Sequence, residues 1–147
     1  MPNNNTLPLD GKFIGNTNGS ITYNEKRSIM DVVQNAGNAV IKWDNFSIGG
    51  NATVNFSQKD GGKFNVLNYV NSGNMSEIYG TINANQGNVF LVNPAGVTIG
   101  KSAQINVGSL YVSNYNLKDK ELGNFNGQNI DNLKIPNTPS SGDIWFS

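Results

Sequence analysis

Residues 88–108 read NVFLVNPAGVTIGKSAQINVG. An apolar run, Val89 to Val92, stops at Asn93-Pro94-Ala95-Gly96. Val97-Thr98-Ile99 follows, Gly100 interrupts, and alternation resumes at Ala103, Ile105 and Val107. Asn at the first position, Pro at the second and Gly at the fourth are the preferences of a type I β-turn. Proline fixes φ, and the Asn side chain can bond the backbone two residues on. Ala95 at the third position argues against a type II turn, which needs φ > 0 there. The stretch therefore reads as short strands joined by corners, the pattern of a β-solenoid.

The spacing on either side agrees. Ile82-Asn83-Ala84 is echoed by Ile105-Asn106-Val107, 23 residues on, and Val89 and Val112 keep the same offset. Three short strands and their turns fill a circuit of roughly 20–30 residues. The phase of alternation shifts at Gly108, which predicts a corner or bulge. Upstream, Ala39, Ile41 and Trp43 share one phase while Val40 and Lys42 take the other; Phe46, Ile48 and Val54-Asn55-Phe56 continue the pattern. FNVLNYV (64–70) is apolar enough for a strand buried on both faces. IMDVV (29–33) could begin a helix, but Ala36-Gly37-Asn38 breaks it within two turns, so strand or irregular structure is expected. Lys12-Phe13-Ile14 and Ser20-Ile21-Thr22-Tyr23 are short strands parted by the turn signal GNTNG. After Tyr115 the chain turns polar and is punctuated by Pro, Gly and Ser, with room for one helical turn at 118–122.

Composition supports a folded, turn-rich β protein. Only 14% of the 147 residues are charged, and the ten basic and ten acidic side chains cancel, so nothing pulls the chain toward nucleic acid or acidic lipid. Asparagine fills the gap: 27 Asn and 17 Gly together make 44 residues, both types that tolerate φ > 0. Seven Phe, five Tyr and two Trp argue against disorder. No apolar run approaches the ~18 residues of a membrane span. The start, MPNNNTLPLDG, has no basic segment followed by an apolar one, so no signal peptide is expected in it.

Little here could perform a reaction. There is no His and no Cys, which removes the commonest acid/base, thiol chemistry, disulfides and the usual zinc ligands. The carboxylates are scattered, and none forms a calcium loop. The only arginine, Arg27, falls at an expected turn. Neither catalysis, a metal nor a cofactor is expected. Trp43, Phe46 and Phe56 could stack on sugars, but their alternation with polar neighbours places them in the core. Six N-x-S/T triplets begin at Asn4, Asn18, Asn45, Asn51, Asn55 and Asn74, of which Asn18 and Asn74 are the candidates for an attached sugar.

Several segments carry a family likeness. AVIKWDNFSIG (39–49), TVNFSQ (53–58), VLNYV (66–70), SEIYGTINANQGNVFLVNPAGVTIGKSAQINVGSL (76–110) and the later YVSN together resemble the N-terminal secretion domain of filamentous haemagglutinin-like exoproteins. These are the two-partner secretion proteins, and the wording is nearest to the high-molecular-weight adhesin branch. The likeness runs over roughly residues 7–118, with its motifs in order. It implies an all-β fold: a right-handed parallel β-helix with an N-terminal β cap and extra-helical strands. It also implies a monomeric address, recognised in the periplasm by the periplasmic repeats of an outer-membrane transporter. The rest of the exoprotein is then exported to the cell surface, where the full-length protein meets host cells.

The family motif Asn-Pro-Asn-Gly falls on Asn93, Pro94, Ala95 and Gly96, making these the candidate recognition residues, with Ala where the family has Asn. Tyr69 stands where the LN-x-V segment often carries a basic residue, and a second motif, Asn-Pro-Asn-Leu, is absent. The chain divides into a lead-in (1–11), cap and rungs (12–115) and an extra-helical or truncated segment (116–147), all within one secretion domain (1–147). A chain threaded unfolded through a pore should carry no cross-links, and slow folding of a parallel sheet leaves time for recognition. Recognition is expected by strand addition or through apolar side chains while the domain is not fully folded. The alternative is a self-sufficient adhesin that binds host glycan or protein through the solenoid face.

Overall fold

The computed structural model describes residues 2–118, 122, 125 and 144–146. Among these residues eleven strands follow in order: β1 (Lys12–Phe13), β2 (Gly19–Asn24), β3 (Ile29–Gln34), β4 (Asn38–Trp43), β5 (Thr53–Gln58), β6 (Phe64–Val70), β7 (Ser76–Ile78), β8 (Thr81–Val92), β9 (Val97–Ile99), β10 (Gln104–Ser113) and β11 (Ile144–Phe146). They wind into a solenoid of about four turns with three faces. The first face stacks β3, β5 and the starts of β8 and β10; the second stacks β4, β6 and the ends of β8 and β10, all parallel. The third stacks β7, β9 and β11, also parallel, with Ile48 bridging to Ile78. Strands β1 and β2 run antiparallel to β4 and β3 and close the N-terminal end. Strands thus appear where the alternation put them, and the N-terminal strands form the β cap that the family resemblance implies.

Alternation fills the interior. Ala39, Ile41 and Trp43 point inward from β4, and Val54 and Phe56 from β5, all buried. Trp43 meets Phe46 edge-on at 5.4 Å, and Phe46 stacks on Phe56 at 6.4 Å. The aromatic side chains that could have served a sugar are therefore core. IMDVV is strand, and β6 is buried on both faces, as its composition predicts. Asn68, on the inward phase of β6, is a fully buried polar side chain, and it is satisfied: it accepts from Trp43 Nε1 at 2.9 Å and donates to the Phe90 carbonyl at 3.2 Å.

The period differs between faces. Ile82 pairs with Ile105, 23 residues on, but Val89 pairs with Leu110, not Val112. The register breaks between Val107 and Ser109. There β8 spends Asn85, Gln86 and Gly87 on a corner that β10 turns with Gly108 alone, so the second face loses two residues. The shift expected at Gly108 is real; the uniform 23-residue offset is not.

The asparagines have a collective role. Asn106 donates to Asn83, Asn83 to Asn55 and Asn55 to Asp31, each at 2.9 Å, along the outside of the first face. A second row runs from Asn88 to Asn65 to Asn38, again at 2.9 Å per step. Parallel in-register strands place like residues one rung apart, about 4.8 Å, which suits one side-chain amide bonding the next.

Candidate functional site: a stacked corner

The corner predicted at Asn93–Gly96 joins β8 to β9. Gly96 N–H donates to the Asn93 carbonyl at 3.0 Å, closing a four-residue turn. Ala95 is not among the residues with positive φ, so the turn is not type II. Gly96 follows at φ 113, a conformation other residues avoid. The Asn93 side chain does what the turn chemistry predicts: its Oδ1 accepts from Ala95 N–H at 2.9 Å.

The same side chain also ties rungs together. Asn93 is fully buried, and its Nδ2 donates to the Asn74 carbonyl at 2.8 Å and to Ser76 Oγ at 3.0 Å, both on the preceding rung. Asn93 N–H donates to the Ser113 carbonyl at 2.9 Å, and Ser76 N–H to the Gly96 carbonyl at 3.0 Å. One rung further down, Ser72 Oγ and Asn74 Nδ2 both donate to the Asp44 carbonyl. Corners from three rungs are thus bonded in a column. Within the four candidate residues the work is divided. Asn93 and Gly96 are buried scaffold, whereas Pro94 and Ala95 are half-buried and form the outward lip. The lip carries no charge and no reactive group, so what it offers is shape.

The two candidate sugar sites differ. Asn18, Gly19 and Ser20 are all exposed at the start of β2. Asn74 is exposed too, but its amide holds Asp44, and the Ser76 of its triplet is fully buried against Asn93. Only the Asn18 triplet presents both ends to solvent.

Sequence reasoning missed a second apolar cluster on the outside of the second face. Val40, Leu67, Tyr69, Phe90 and Val92 pack there with Leu117, Leu122 and Phe125. Tyr69, which stands where the family often has a basic residue and lies in the stretch expected to be buried on both faces, is 1% exposed, with its hydroxyl 3.0 Å from both Asn116 Oδ1 and the Leu117 carbonyl. Two-faced apolarity in β6 was the available signal; the residues that cover it lie some fifty positions away. Leu122 N–H donates to the Lys118 carbonyl at 3.1 Å, the bond of one helical turn, where a turn at 118–122 was expected. The terminal stretch also returns to the solenoid, since β11 pairs with β9.

Among ionisable groups, the Tyr23 phenol is pushed above its ordinary pKa, first by burial and then by the charge of Asp10. Its hydroxyl donates to the Pro8 carbonyl at 2.8 Å, fastening the lead-in to the cap.

Comparison with known proteins places this geometry. A family model described as TPS secretion domain matches residues 10–143. Two proteins of Haemophilus influenzae, each named heme/hemopexin-binding protein, are similar to the chain. One is 40% identical over 99 residues, covering 67% of this chain and 11% of the relative. The other is 38% identical over 89 residues, covering 60% and 9%. The chain thus spans about a tenth of the length of these relatives. The crystal structure of the HMW1 secretion domain from Haemophilus influenzae superposes with a TM-score of 0.69 at 26% identity, covering 78% of this chain and 29% of that one.

Proposed function

The chain belongs to the TPS secretion domain family, and from that premise we propose that it is the N-terminal secretion signal of a much longer exoprotein. An outer-membrane transporter binds it in the periplasm through periplasmic repeats and passes the remainder to the cell surface. The observation that carries this reading is the family match over residues 10–143. The short share of each relative that the chain spans is consistent with a signal attached to a large passenger. In this reading the domain performs no reaction, works as a monomer, and needs no metal or cofactor. Any ligand binding of the kind that the relatives' names describe belongs to the passenger, as does contact with host cells.

Pro94 and Ala95 are the part of the corner that a transporter can touch, and Asn93 and Gly96 hold that lip in place. Ala95 in place of the family's Asn is tolerated because the turn uses the residue-95 backbone N–H, not its side chain. Where the host attaches sugars to N-x-S/T triplets, Asn18 is the acceptor and Asn74 is not. Intact mass of protein from the native host, with and without Asn18→Gln, tests that assignment.

The decisive experiment titrates the domain against the purified periplasmic repeats of its cognate transporter, with a Pro94→Ala variant alongside whose fold is checked by circular dichroism. Binding by the wild type with loss in the folded variant makes the lip part of the address. Binding retained by the variant leaves the motif a corner. No binding by the wild type refutes the secretion-signal reading and favours the self-sufficient adhesin.

A further inference from the structure

Asn18 and Gly19 are the one Asn–Gly pair among the described residues; the chain's other, Asn126–Gly127, lies outside them. Both Asn18 and Gly19 are exposed, and Asn18 sits just ahead of β2, outside any strand. Its carbonyl accepts from Asn35 N–H at 2.9 Å, but its side chain bonds to no described residue. The ladder asparagines differ. Asn55, Asn65, Asn83, Asn88 and Asn106 each commit Nδ2 to the rung before.

The strand pairing leaves the next backbone amide free as well. In an antiparallel pair, bonded and non-bonded residue pairs alternate. Asn35 and Asn18 form a bonded pair, so the next one, Gly19 and Gln34, is non-bonded. Gly19 N–H therefore points away from β3. β2 is the last strand of its sheet, and no described strand lies on that side to take the proton. The fold also requires glycine here. A Cβ would lie 2.3 Å from the Val33 carbonyl oxygen and 2.4 Å from the Phe13 ring. Packing thus fixes an unhindered backbone nitrogen directly after a free side-chain amide.

We propose that Asn18 is a site of spontaneous deamidation, with Gly19 N as the nucleophile. That nitrogen attacks Asn18 Cγ, and the new N–Cγ bond closes a five-membered succinimide ring. The Cγ–Nδ2 bond breaks, and Nδ2 leaves as ammonia with the proton that Gly19 N gives up. Water then opens the ring at one of its two carbonyls, leaving aspartate or isoaspartate at position 18. Either product adds one negative charge to a chain whose charges balance. Isoaspartate also routes the main chain through Cγ. That adds a methylene at the start of β2, where Gly19 is wedged between Val33 and Phe13. The nitrogen lost is the one a sugar would occupy, so conversion removes the acceptor of the Asn18 triplet.

The test uses the full chain, produced without a sugar transferase and incubated at mildly alkaline pH, both folded and in urea. Cleavage after Lys12 and Lys26 frees residues 13–26, and fragment masses locate any gain of one mass unit. The Asn126–Gly127 pair falls in a different peptide. Position 18 is expected to convert in the folded chain at a rate within about tenfold of the unfolded one. That factor is equivalent to about 1.4 kcal/mol of local opening. Asn18→Gln, which would have to close a larger ring, is expected to show no gain at that position. Ser20→Ala, which destroys the sugar triplet and keeps the Asn–Gly pair, is expected to convert like the wild type. A folded chain that keeps its amide while the unfolded one converts more than about tenfold faster overturns the proposal. So does a gain in that peptide that persists in Asn18→Gln. Neither result depends on whether the domain binds a transporter or carries a sugar.

Discussion

Replacing Asn93 with alanine separates the two jobs of the corner. The side chain makes three hydrogen bonds: to the Asn74 carbonyl, to Ser76 Oγ and from Ala95 N–H. Each is worth about 1 kcal/mol net. The partners do not fare equally when it goes. The Asn74 carbonyl and Ala95 N–H lie in exposed or half-exposed residues that water can reach, while Ser76 is fully buried. An orphaned buried hydroxyl adds roughly 1 kcal/mol or more, so the expected loss is about 3–4 kcal/mol. Pro94→Ala, at the next residue but outside the network, should cost under about 1 kcal/mol, mostly through the freer unfolded chain. Urea denaturation followed by the fluorescence of buried Trp43 measures both, and a loss of that size lowers the thermal midpoint by about 6–16 °C. Asn93→Asp keeps the acceptor for Ala95 N–H and loses the donors, so it should fall nearer to Asn93→Ala than to wild type. Equal, small losses for Asn93→Ala and Pro94→Ala would refute the argument that Asn93 is the pin between rungs.

Two other perturbations follow from the packing and the cap. A Cβ at Gly100 would lie 2.2 Å from the Tyr79 ring, so Gly100→Ala should cost about 1–3 kcal/mol by overpacking; a Tyr79→Ala background should recover part of it, measured as a double-mutant cycle. The raised pKa of Tyr23 means the folded cap resists ionising the phenol. Its contribution is therefore complete below the unfolded-state value near ~10 and is lost as pH rises through the folded value. Urea midpoints should hold steady from neutral pH and fall in the alkaline range, less steeply in Tyr23→Phe. An unchanged alkaline slope in that variant would remove Tyr23 as the cause.

Sequence revealed what is local. The corner at residues 93–96 was legible because Pro and Gly constrain the chain whatever surrounds them, and Ala39, Ile41 and Trp43 were legible as core because strand alternation has a period of two. The rung period was legible on one face, through Ile82 and Ile105, and misjudged on the other. Nothing in Val89 or Val112 says that Gly108 alone would turn a corner that took three residues one rung earlier. The secretion-domain fold and family were legible from ordered motifs. The abundance of asparagine was plain, but its use was not, since the ladders exist only once strands 21 to 28 residues apart are stacked in register. The outer strip was least legible of all. Its apolarity is visible in β6, yet whether it is core, interface or covered face depends on residues 117, 122 and 125, and the sequence between holds no signal linking them.

The Asn ladder on the first face also has a direction. Every amide hands its proton toward the N-terminus, and the row ends on the Asp31 carboxylate, which can only accept. That anion sets the polarity of each link above it, and a row of aligned amides strengthens as it lengthens. At the far end Asn106 is exposed, donating to Asn83 while its own Oδ1 accepts from none of the described residues. A strand laid on β10 in register can continue the row by bringing a donor to that position, and a slip of a single residue would bring the wrong side of the pleat. The row therefore favours in-register stacking of the rungs, because a one-residue slip turns the bonding side chains to the other face.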